Sequence, residues 1–120
     1  MTYRVVIVDD EPLARQRLKR LLEEHKDFTC VAEAGDGQAA VDWFSQFQAD
    51  LLLLDIQMPG LDGFETSRKL RDRGVDIPIV ACTANTTDQI YQKCIDSGMN
   101  DYIAKPLKVD TIKKTLQRWL

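Results

Sequence analysis

The sequence LLLLD at residues 51–55 determines the fold class of this chain, because four consecutive apolar residues end in a carboxylate. A strand with one face in water alternates apolar and polar residues, whereas a parallel-sheet strand covered on both faces is apolar throughout. Residues 3–8, YRVVIV, have nearly the same character, and Asp9 and Asp10 follow them directly. Both segments therefore predict central strands of a parallel sheet, each with acidic side chains at its carboxyl end.

Strand-like and helical patterns alternate along the rest of the chain. Strands are predicted at residues 3–8, 28–34, 51–55, 77–82 and 102–104. Apolar residues at helical spacing predict helices from about 11 to 25, around 40–47, from 62 to about 74, from 86 to 98 and around 112–120. Five strands joined by helices in this order favour an α/β fold with a doubly wound sheet and right-handed crossovers.

Residues near the predicted helix ends support these boundaries. Asp62 with Glu65, and Thr86 with Gln89, have the spacing of a capping box at a helix N-terminus. Gly98 is expected to end the fourth helix, because glycine tolerates the left-handed backbone of a helix C-terminus.

The composition fits one cytoplasmic domain that spans residues 1–120. Hydrophobic residues make up 44% of the chain, which suffices for a core between a sheet and its helices. The 16 Lys and Arg residues are interleaved with 19 Asp and Glu residues, and this balance argues against direct nucleic-acid binding. No apolar run approaches the roughly 20 residues that span a bilayer, and no secretion signal follows Met1. Cys30, Cys82 and Cys94 lack CxxC spacing and fit reduced, buried thiols.

Asp9, Asp10 and Asp55 are expected to meet, because ligand sites of open α/β sheets lie outside the carboxyl ends of the strands. Adjacent acids at a helix start also act as ordinary caps, and for Asp9 and Asp10 alone this alternative stays open. Asp55 favours a bound cation, since clustered carboxylates repel one another in a low-dielectric cleft. An all-oxygen site fits Mg²⁺ better than Zn²⁺, and the lone His25 is expected at the surface near a helix end.

A carboxylate beside Mg²⁺ suggests phosphoryl transfer, in which an Asp side chain itself becomes an acyl phosphate. Thr83 follows the fourth predicted strand and Lys105 the fifth, so both are expected at the same edge of the sheet. Lys105 would add a positive charge and Thr83 a hydroxyl donor for phosphoryl oxygens. Alone, each would be interpreted as a solvated lysine or an ordinary strand residue, and only their joint placement favours binding.

Several motifs, in order along the chain, resemble those of the receiver domain of two-component response regulators. They are VDDE at residues 8–11, LDIQMPGLDG at 54–63, TA at 83–84 and DYIAKPL at 101–107. The resemblance covers the whole chain. It implies a flavodoxin-like fold of five strands in the order 2-1-3-4-5 with five helices, and a cis peptide bond before Pro106.

The same resemblance implies the roles of the acidic residues. Asp55 would be the phosphoacceptor. Asp10 and Asp55 would bind Mg²⁺ together with the backbone carbonyl of Gln57, and Asp9 would act through water. Gln57 and Asn85 occupy positions that vary in the family and tune how fast the acyl phosphate hydrolyses.

The resemblance also implies partners and a switch. Lys105 and Thr83 would bind phosphoryl oxygens, and Thr83 with Tyr102 would signal to an output face bordered by the fourth and fifth helices. A sensor histidine kinase or histidine phosphotransfer protein would supply the phosphoryl group, and an output domain or effector protein would respond. The chain would be a monomer or a weak, phosphorylation-dependent dimer. The position of the first helix beside the pocket predicts that the kinase docks on Leu13, Gln16, Arg17 and Arg20, with Pro106 on the other side of the pocket. Burial of Leu13 in the core is the alternative.

Two ancestries within the family remain open. Residues 9–22 resemble receivers of transcription regulators with a LytTR-type DNA-binding domain, whereas residues 83–107 resemble receivers attached to hybrid sensor kinases. Two functions from other classes compete with the signalling function. A magnesium-dependent phosphohydrolase of the haloacid-dehalogenase type would need an acid two residues after Asp55, where Gln57 stands. A flavodoxin-like FMN module would need a phosphate loop after the first strand, where Asp9, Asp10 and Glu11 would repel the phosphate.

Overall fold

The computed structural model describes residues 2–120 and contains a five-stranded parallel sheet with five helices. The strands are β1 (Tyr3–Val8), β2 (Phe28–Ala34), β3 (Leu51–Asp55), β4 (Ile79–Thr83) and β5 (Asp101–Ala104). The helices are α1 (Pro12–Glu23), α2 (Gly37–Phe44), α3 (Gly63–Asp72), α4 (Asp88–Asp96) and α5 (Val109–Trp119). The strand order is β2-β1-β3-β4-β5, which confirms the flavodoxin-like topology.

The strand register aligns the carboxyl ends of the central strands. Val8 of β1 pairs with Leu54 of β3, so that Asp9 and Asp55 both lie at the same level, one residue further along the chain. Asp55 in turn pairs with Cys82, the penultimate residue of β4. Parallel pairing of all neighbouring strands therefore brings residues far apart in sequence to one edge of the sheet.

Successive strand residues face two different apolar layers, as the uninterrupted apolar runs predict. Val5 and Ile7 pack in a layer with α1 and α5, whereas Val6 and Val8 pack in a layer with α2, α3 and α4. Leu53 is 1% exposed, and truncating such a residue to alanine typically costs about 2–5 kcal/mol. Two-sided burial of β1 and β3 is therefore what holds their acidic ends in place.

Three strand boundaries differ from the predicted ones, namely both ends of β4, which ends at Thr83 instead of Cys82, and the start of β5. β4 begins at Ile79 because the carbonyl of Ile77 accepts a hydrogen bond from Arg71 instead of pairing, and Pro78 has no N–H to donate. β5 begins one residue earlier than predicted, since Asp101 pairs with Val80.

The predicted cap of α4 is wrong by one residue. Thr87, not Thr86, accepts from the N–H of Ile90 at 3.3 Å. The reason lies in the preceding turn, where the Asn85 side chain accepts from the N–H of Thr87 at 3.2 Å and carries the loop one residue further. The cap of α3 is as predicted, with Asp62 accepting from the N–H of Glu65 at 2.9 Å.

Two helices present fewer apolar residues to the core than their periodicity predicts. Phe47 lies beyond the end of α2 and is exposed, because Ser45 terminates the helix and its hydroxyl donates to the Asp42 carbonyl. At the end of α5 the side chains of Trp119 and Leu120 remain partly in solvent. The core contribution of α5 comes from Ile112 and Leu116.

The predicted end of α4 is confirmed. Gly98 has φ +92° after α4, in the left-handed region that favours glycine. Cys82 and Cys94 are buried, as predicted, whereas Cys30 is only half-buried, and all three are free thiols. His25 follows the end of α1, as predicted, but it is half-buried instead of lying at the surface, because its ring packs 5.9 Å from that of Phe28. Within residues 2–120, none of the helices has both the length and the apolar character that a membrane span requires.

Candidate functional site

Three carboxylates meet at the carboxyl edge of the sheet, as the sequence predicts. Asp9, Asp10 and Asp55 each offer one carboxylate oxygen within 4.8 Å of the others. Asp9 and Asp55 are each 6% exposed, and Asp10 is the most exposed of the three. The loop after β1 supplies the first two residues and the end of β3 supplies the third.

Lys105 is the cation that the structure places among these acids. Its Nζ lies 3.3 Å from Oδ2 of Asp9 and 3.4 Å from Oδ1 of Asp55. Its backbone N–H donates to the carbonyl of Thr83 at 2.8 Å, and its peptide bond to Pro106 is cis, as predicted. The hydrogen bond to Thr83 holds the main chain at the end of β5, and from there the Lys105 side chain reaches the acids.

Burial raises the pKa of the Asp55 carboxyl, and the negative charge of Asp9 raises it further, while Lys105 opposes both effects. Burial alone lowers the pKa of the Lys105 ammonium, but Asp55 and Asp9 more than compensate, so its pKa lies above the ordinary value. The single ammonium of Lys105 thus offsets only part of the effect of burial and of the Asp9 charge, and the pKa of Asp55 stays above its ordinary value.

The charge and chemistry of the donors fit a magnesium ion. Three carboxylates face one ammonium, which leaves an excess of negative charge that a divalent cation would neutralise. The donors are all oxygens, which Mg²⁺ prefers. The nearby Cys82 offers no competing thiolate, since burial raises its pKa to about 12. Asp10 and Asp55, with the carbonyl of Gln57, are the residues that would hold the ion.

Thr83 and Gln57 border the acids. The Thr83 hydroxyl donates to the carbonyl of Asn85 and accepts from its N–H, both at 3.0 Å. The N–H of Gln57 lies 3.5 Å from Oδ1 of Asp55, and the Gln57 side chain is exposed. Both residues lie along the wall of a groove between the β3–α3 loop and α4.

The predicted docking residues lie on the other side of the acids. Leu13 is 74% exposed, so its alternative placement in the core is wrong. Arg17 and Pro106 line a groove of about 450 Å³ that also includes Asp9 and Lys105. A smaller hollow next to it is lined by Leu13, Gln16, Arg17 and Arg20, together with Leu21 and Glu24.

Tyr102, the predicted switch residue, is half-buried on β5. Its ring centroid lies 5.1 Å from that of Tyr91 on α4. This pair connects the strand that precedes Lys105 to the helix that follows Thr83.

Two contacts near the site were not predicted from the sequence. The Arg15 guanidinium donates to the backbone carbonyl of Asp9 at 2.6 Å. The Lys93 ammonium of α4 lies 4.8 Å above the ring of Phe64, at the start of α3. Nothing in the spacing of these residues distinguishes them from ordinary solvated charges.

Comparison with known proteins gives the same family as the motifs. The model of the response regulator receiver domain matches residues 5–117. The sensor histidine kinase RcsC of Escherichia coli strain K12 is 34% identical over 112 residues, covering 93% of this chain and 12% of RcsC. The chain belongs to the response-regulator receiver domain family.

Solved structures also resemble this chain over nearly its full length. The chemotaxis protein CheY4 of Vibrio cholerae superposes with a TM-score of 0.91 and 28% identity over the full length of both chains. The receiver domain of sensor histidine kinase PA1611 from Pseudomonas aeruginosa PAO1 has a TM-score of 0.87 and 30% identity, covering 99% of this chain and 98% of that one. That structure has a magnesium ion coordinated in its active-site cleft.

Proposed function

We propose that this receiver domain accepts a phosphoryl group on Asp55 in a reaction that depends on Mg²⁺. The observation that carries the proposal is the convergence of Asp9, Asp10 and Asp55 on one ammonium, that of Lys105. The magnesium ion in the PA1611 receiver supports the choice of metal. The partner would be a sensor histidine kinase or a histidine phosphotransfer protein.

The transfer makes one bond and breaks one bond. A carboxylate oxygen of Asp55 attacks the phosphorus of a phosphohistidine, the P–N bond breaks, and the imidazole leaves with its electron pair and takes up a proton. Lys105 is 3.4 Å from Asp55 and moves its hydrogen bond to a phosphoryl oxygen of the product. Thr83 donates to a second one, and Mg²⁺ held by Asp10, Asp55 and the Gln57 carbonyl would neutralise the remaining charge. Asp9 would contribute to the metal site through water.

The acyl phosphate then changes the output face. The Thr83 hydroxyl gives up its bonds to Asn85 for the phosphoryl group, which frees the β4–α4 loop. The Tyr102 ring turns inward beside Thr83 and alters its packing on Tyr91. An output domain or effector protein in the cytoplasm responds to the new surface, and self-association is weak and dependent on phosphorylation. The domain signals and hydrolyses its own acyl phosphate only slowly.

The competing functions lack support at the same site. Gln57 offers no general acid where a haloacid-dehalogenase phosphohydrolase needs one, and its side chain is exposed. The acids that follow β1 would repel the phosphate of FMN.

The proposal is tested by intact-mass measurement after incubation with acetyl phosphate. One added phosphoryl group is expected in the presence of Mg²⁺ and none in EDTA. The Asp55→Asn variant should gain nothing, and an Asp72→Asn variant, changed at an exposed acid at the end of α3, should be labelled like the parent. Equal labelling of Asp55→Asn would exclude Asp55 as the acceptor.

A further inference from the structure

Among the three acids of the candidate metal site, Asp10 has the side chain that is held by the fewest contacts. In the part of the chain that the structure describes, no hydrogen bond holds the Asp10 carboxylate, whereas Asp9 and Asp55 both bond to Lys105. Asp10 is also the most exposed of the three acids. Its position therefore depends on the backbone that precedes it.

That backbone is held by Arg15. One guanidinium nitrogen, Nη1, donates to the carbonyl of Asp9 at 2.6 Å, and Nε donates to Oε1 of Glu33 at 3.2 Å. The Arg15 side chain is only 18% exposed. Glu33 lies on β2, so the guanidinium joins α1, the end of β1 and β2 in one hydrogen-bonded group.

The Asp9 carbonyl belongs to the peptide plane that continues into Asp10. The N–H of Asp9 donates to the Ala34 carbonyl at 3.1 Å, and Oδ1 of Asp9 accepts from the N–H of Glu11 at 2.9 Å. With the Arg15 bond, the carbonyl of Asp9 is fixed as well. The Arg15 contact thereby sets the orientation of the peptide that carries Asp10 toward Asp55.

The surroundings are shaped to admit the guanidinium. A side chain at Gly35 would bring its Cβ to 3.3 Å from Nη1 of Arg15, tighter than ordinary van der Waals contact. The absence of a side chain at this position leaves the space that Arg15 occupies.

We infer that Arg15 is a positioning residue for the metal site, acting through the Asp9 carbonyl to place the Asp10 carboxylate. The inference rests on the proposed Mg²⁺-dependent function and adds to it a residue outside the metal-binding set. The alternative is a purely structural tie between α1 and β2.

The positive charge of Arg15 and its proposed positioning role predict opposite effects of its removal on Mg²⁺ affinity. Arg15 is positive and close to the acids, so removing its charge alone should make Mg²⁺ bind more tightly. If Arg15 positions Asp10, its removal should weaken binding instead. Partners that orient metal ligands typically contribute about 10–100-fold to metal affinity.

The experiment measures the Mg²⁺ dissociation constant by backbone-amide NMR titration of the metal-free protein. Arg15→Met should raise that constant about tenfold. Lys19→Met is the matched control, because Lys19 also pairs with Glu33, at 3.4 Å, but does not contact Asp9. It should leave the constant unchanged or slightly lower. Arg15→Lys keeps the charge but has one donor group, and should fall between the parent and Arg15→Met.

A melting curve in EDTA separates the structural alternative. A tie between α1 and β2 would lower the melting temperature of both Arg15 variants without changing the Mg²⁺ constant, and that result would overturn the inference. If Arg15→Met fails to fold, an Arg15→Lys protein that binds Mg²⁺ with the parent's affinity would overturn it equally. A parent protein that binds no Mg²⁺, or an Asp10→Asn variant that binds as well as the parent, would overturn the metal site itself and the inference with it.

Discussion

Lys105 and Asp55, fifty residues apart in the chain, meet with Nζ and Oδ1 separated by 3.4 Å. The ammonium also lies 3.3 Å from Asp9, so it bonds neither acid at the short distance of a strong charge-assisted pair. A loosely shared cation can move to a new anion without leaving a fully formed ion pair. The arrangement suits a lysine whose final partner is a phosphoryl oxygen.

The raised pKa of Asp55 predicts how stability depends on pH in the absence of metal. Because the folded state favours the protonated carboxyl, it binds more protons than the unfolded state. The contribution of Asp55 to the free energy of unfolding therefore falls as pH rises from the ordinary pKa of 3.8 through the raised value. The raised pKa of Lys105 affects stability in a different pH range. The stabilisation by its ammonium is lost only as pH rises above the ordinary pKa of 10.5.

Replacing Asp55 by Asn removes the ionisation and should raise the melting temperature in EDTA at neutral pH. The difference from the parent should disappear below about pH 4, where both side chains are neutral. Melting curves across this range give the comparison, with Asp72→Asn as the control. A less stable Asp55→Asn protein at neutral pH would mean that the pair with Lys105 outweighs burial and repulsion.

Bound Mg²⁺ should offset the loss of stability that the clustered acids cause. Mg²⁺ at ten times its dissociation constant contributes about 1.4 kcal/mol to the free energy of unfolding. For a domain of this size this corresponds to a rise in melting temperature of roughly 5–6 °C. Asp10→Asn should lose most of the rise at the same Mg²⁺ concentration, and Asp72→Asn should keep it. If millimolar Mg²⁺ left the melting temperature of the parent protein unchanged, this would contradict the proposed metal site.

Much of this site follows from the sequence, because the register of a parallel sheet is set by which residues are apolar. The LLLLD segment predicts a strand buried on both faces, and Asp55 then has to meet Asp9 at the carboxyl edge. The arrival of Lys105 could be predicted by the same reasoning from β5.

Side-chain contacts that depend on the finished fold could not be predicted in this way. Arg15 reaches Asp9 only because α1 packs across the end of β1, and in sequence it is one of several arginines on that helix. Thr86 and Thr87 are chemically equal caps, and the choice of Thr87 depends on its bond to Asn85. Apolar periodicity does not show where the sheet stops covering a helix. The partial exposure of Trp119 could therefore not be predicted from the sequence.

Because Leu13 is exposed, its replacement should affect phosphoryl transfer from a protein donor but not from acetyl phosphate. A kinase or phosphotransfer protein would bury this side chain, which is 74% exposed, whereas acetyl phosphate needs only the pocket. Leu13→Asp should therefore slow transfer from a protein donor about tenfold or more, as expected for a charge in an apolar contact. Labelling by acetyl phosphate should be unchanged.

The control for this prediction is Ile95→Asp, which places the same charge on an exposed apolar position of α4. It should leave transfer from the protein donor intact. Loss of both reactions in Leu13→Asp would indicate misfolding, and equal loss in both variants would remove the case for docking at α1.

The last prediction concerns how Thr83 transmits the signal. Its hydroxyl is bonded twice to the Asn85 backbone at 3.0 Å, so it has to release that loop before it can bind a phosphoryl oxygen. A switch from 1:99 to 99:1 needs about 5.5 kcal/mol of differential binding, and hydrogen bonds to charged groups supply roughly 1.5–3 kcal/mol each. A few such bonds at the phosphoryl group therefore suffice.

Thr83→Ala should still accept beryllofluoride, a phosphoryl mimic, at Asp55, because the acids and Lys105 are unchanged. It should blunt the amide shifts that beryllofluoride causes around Tyr102 and α5 in an NMR titration of the parent. Thr87→Ala is the control, since it removes a threonine hydroxyl that caps α4 but lies outside the pocket. If the long-range shifts in Thr83→Ala equal those of the parent, the connection between the site and Tyr102 runs through another residue, and Lys105, which directly follows β5, is the next to test.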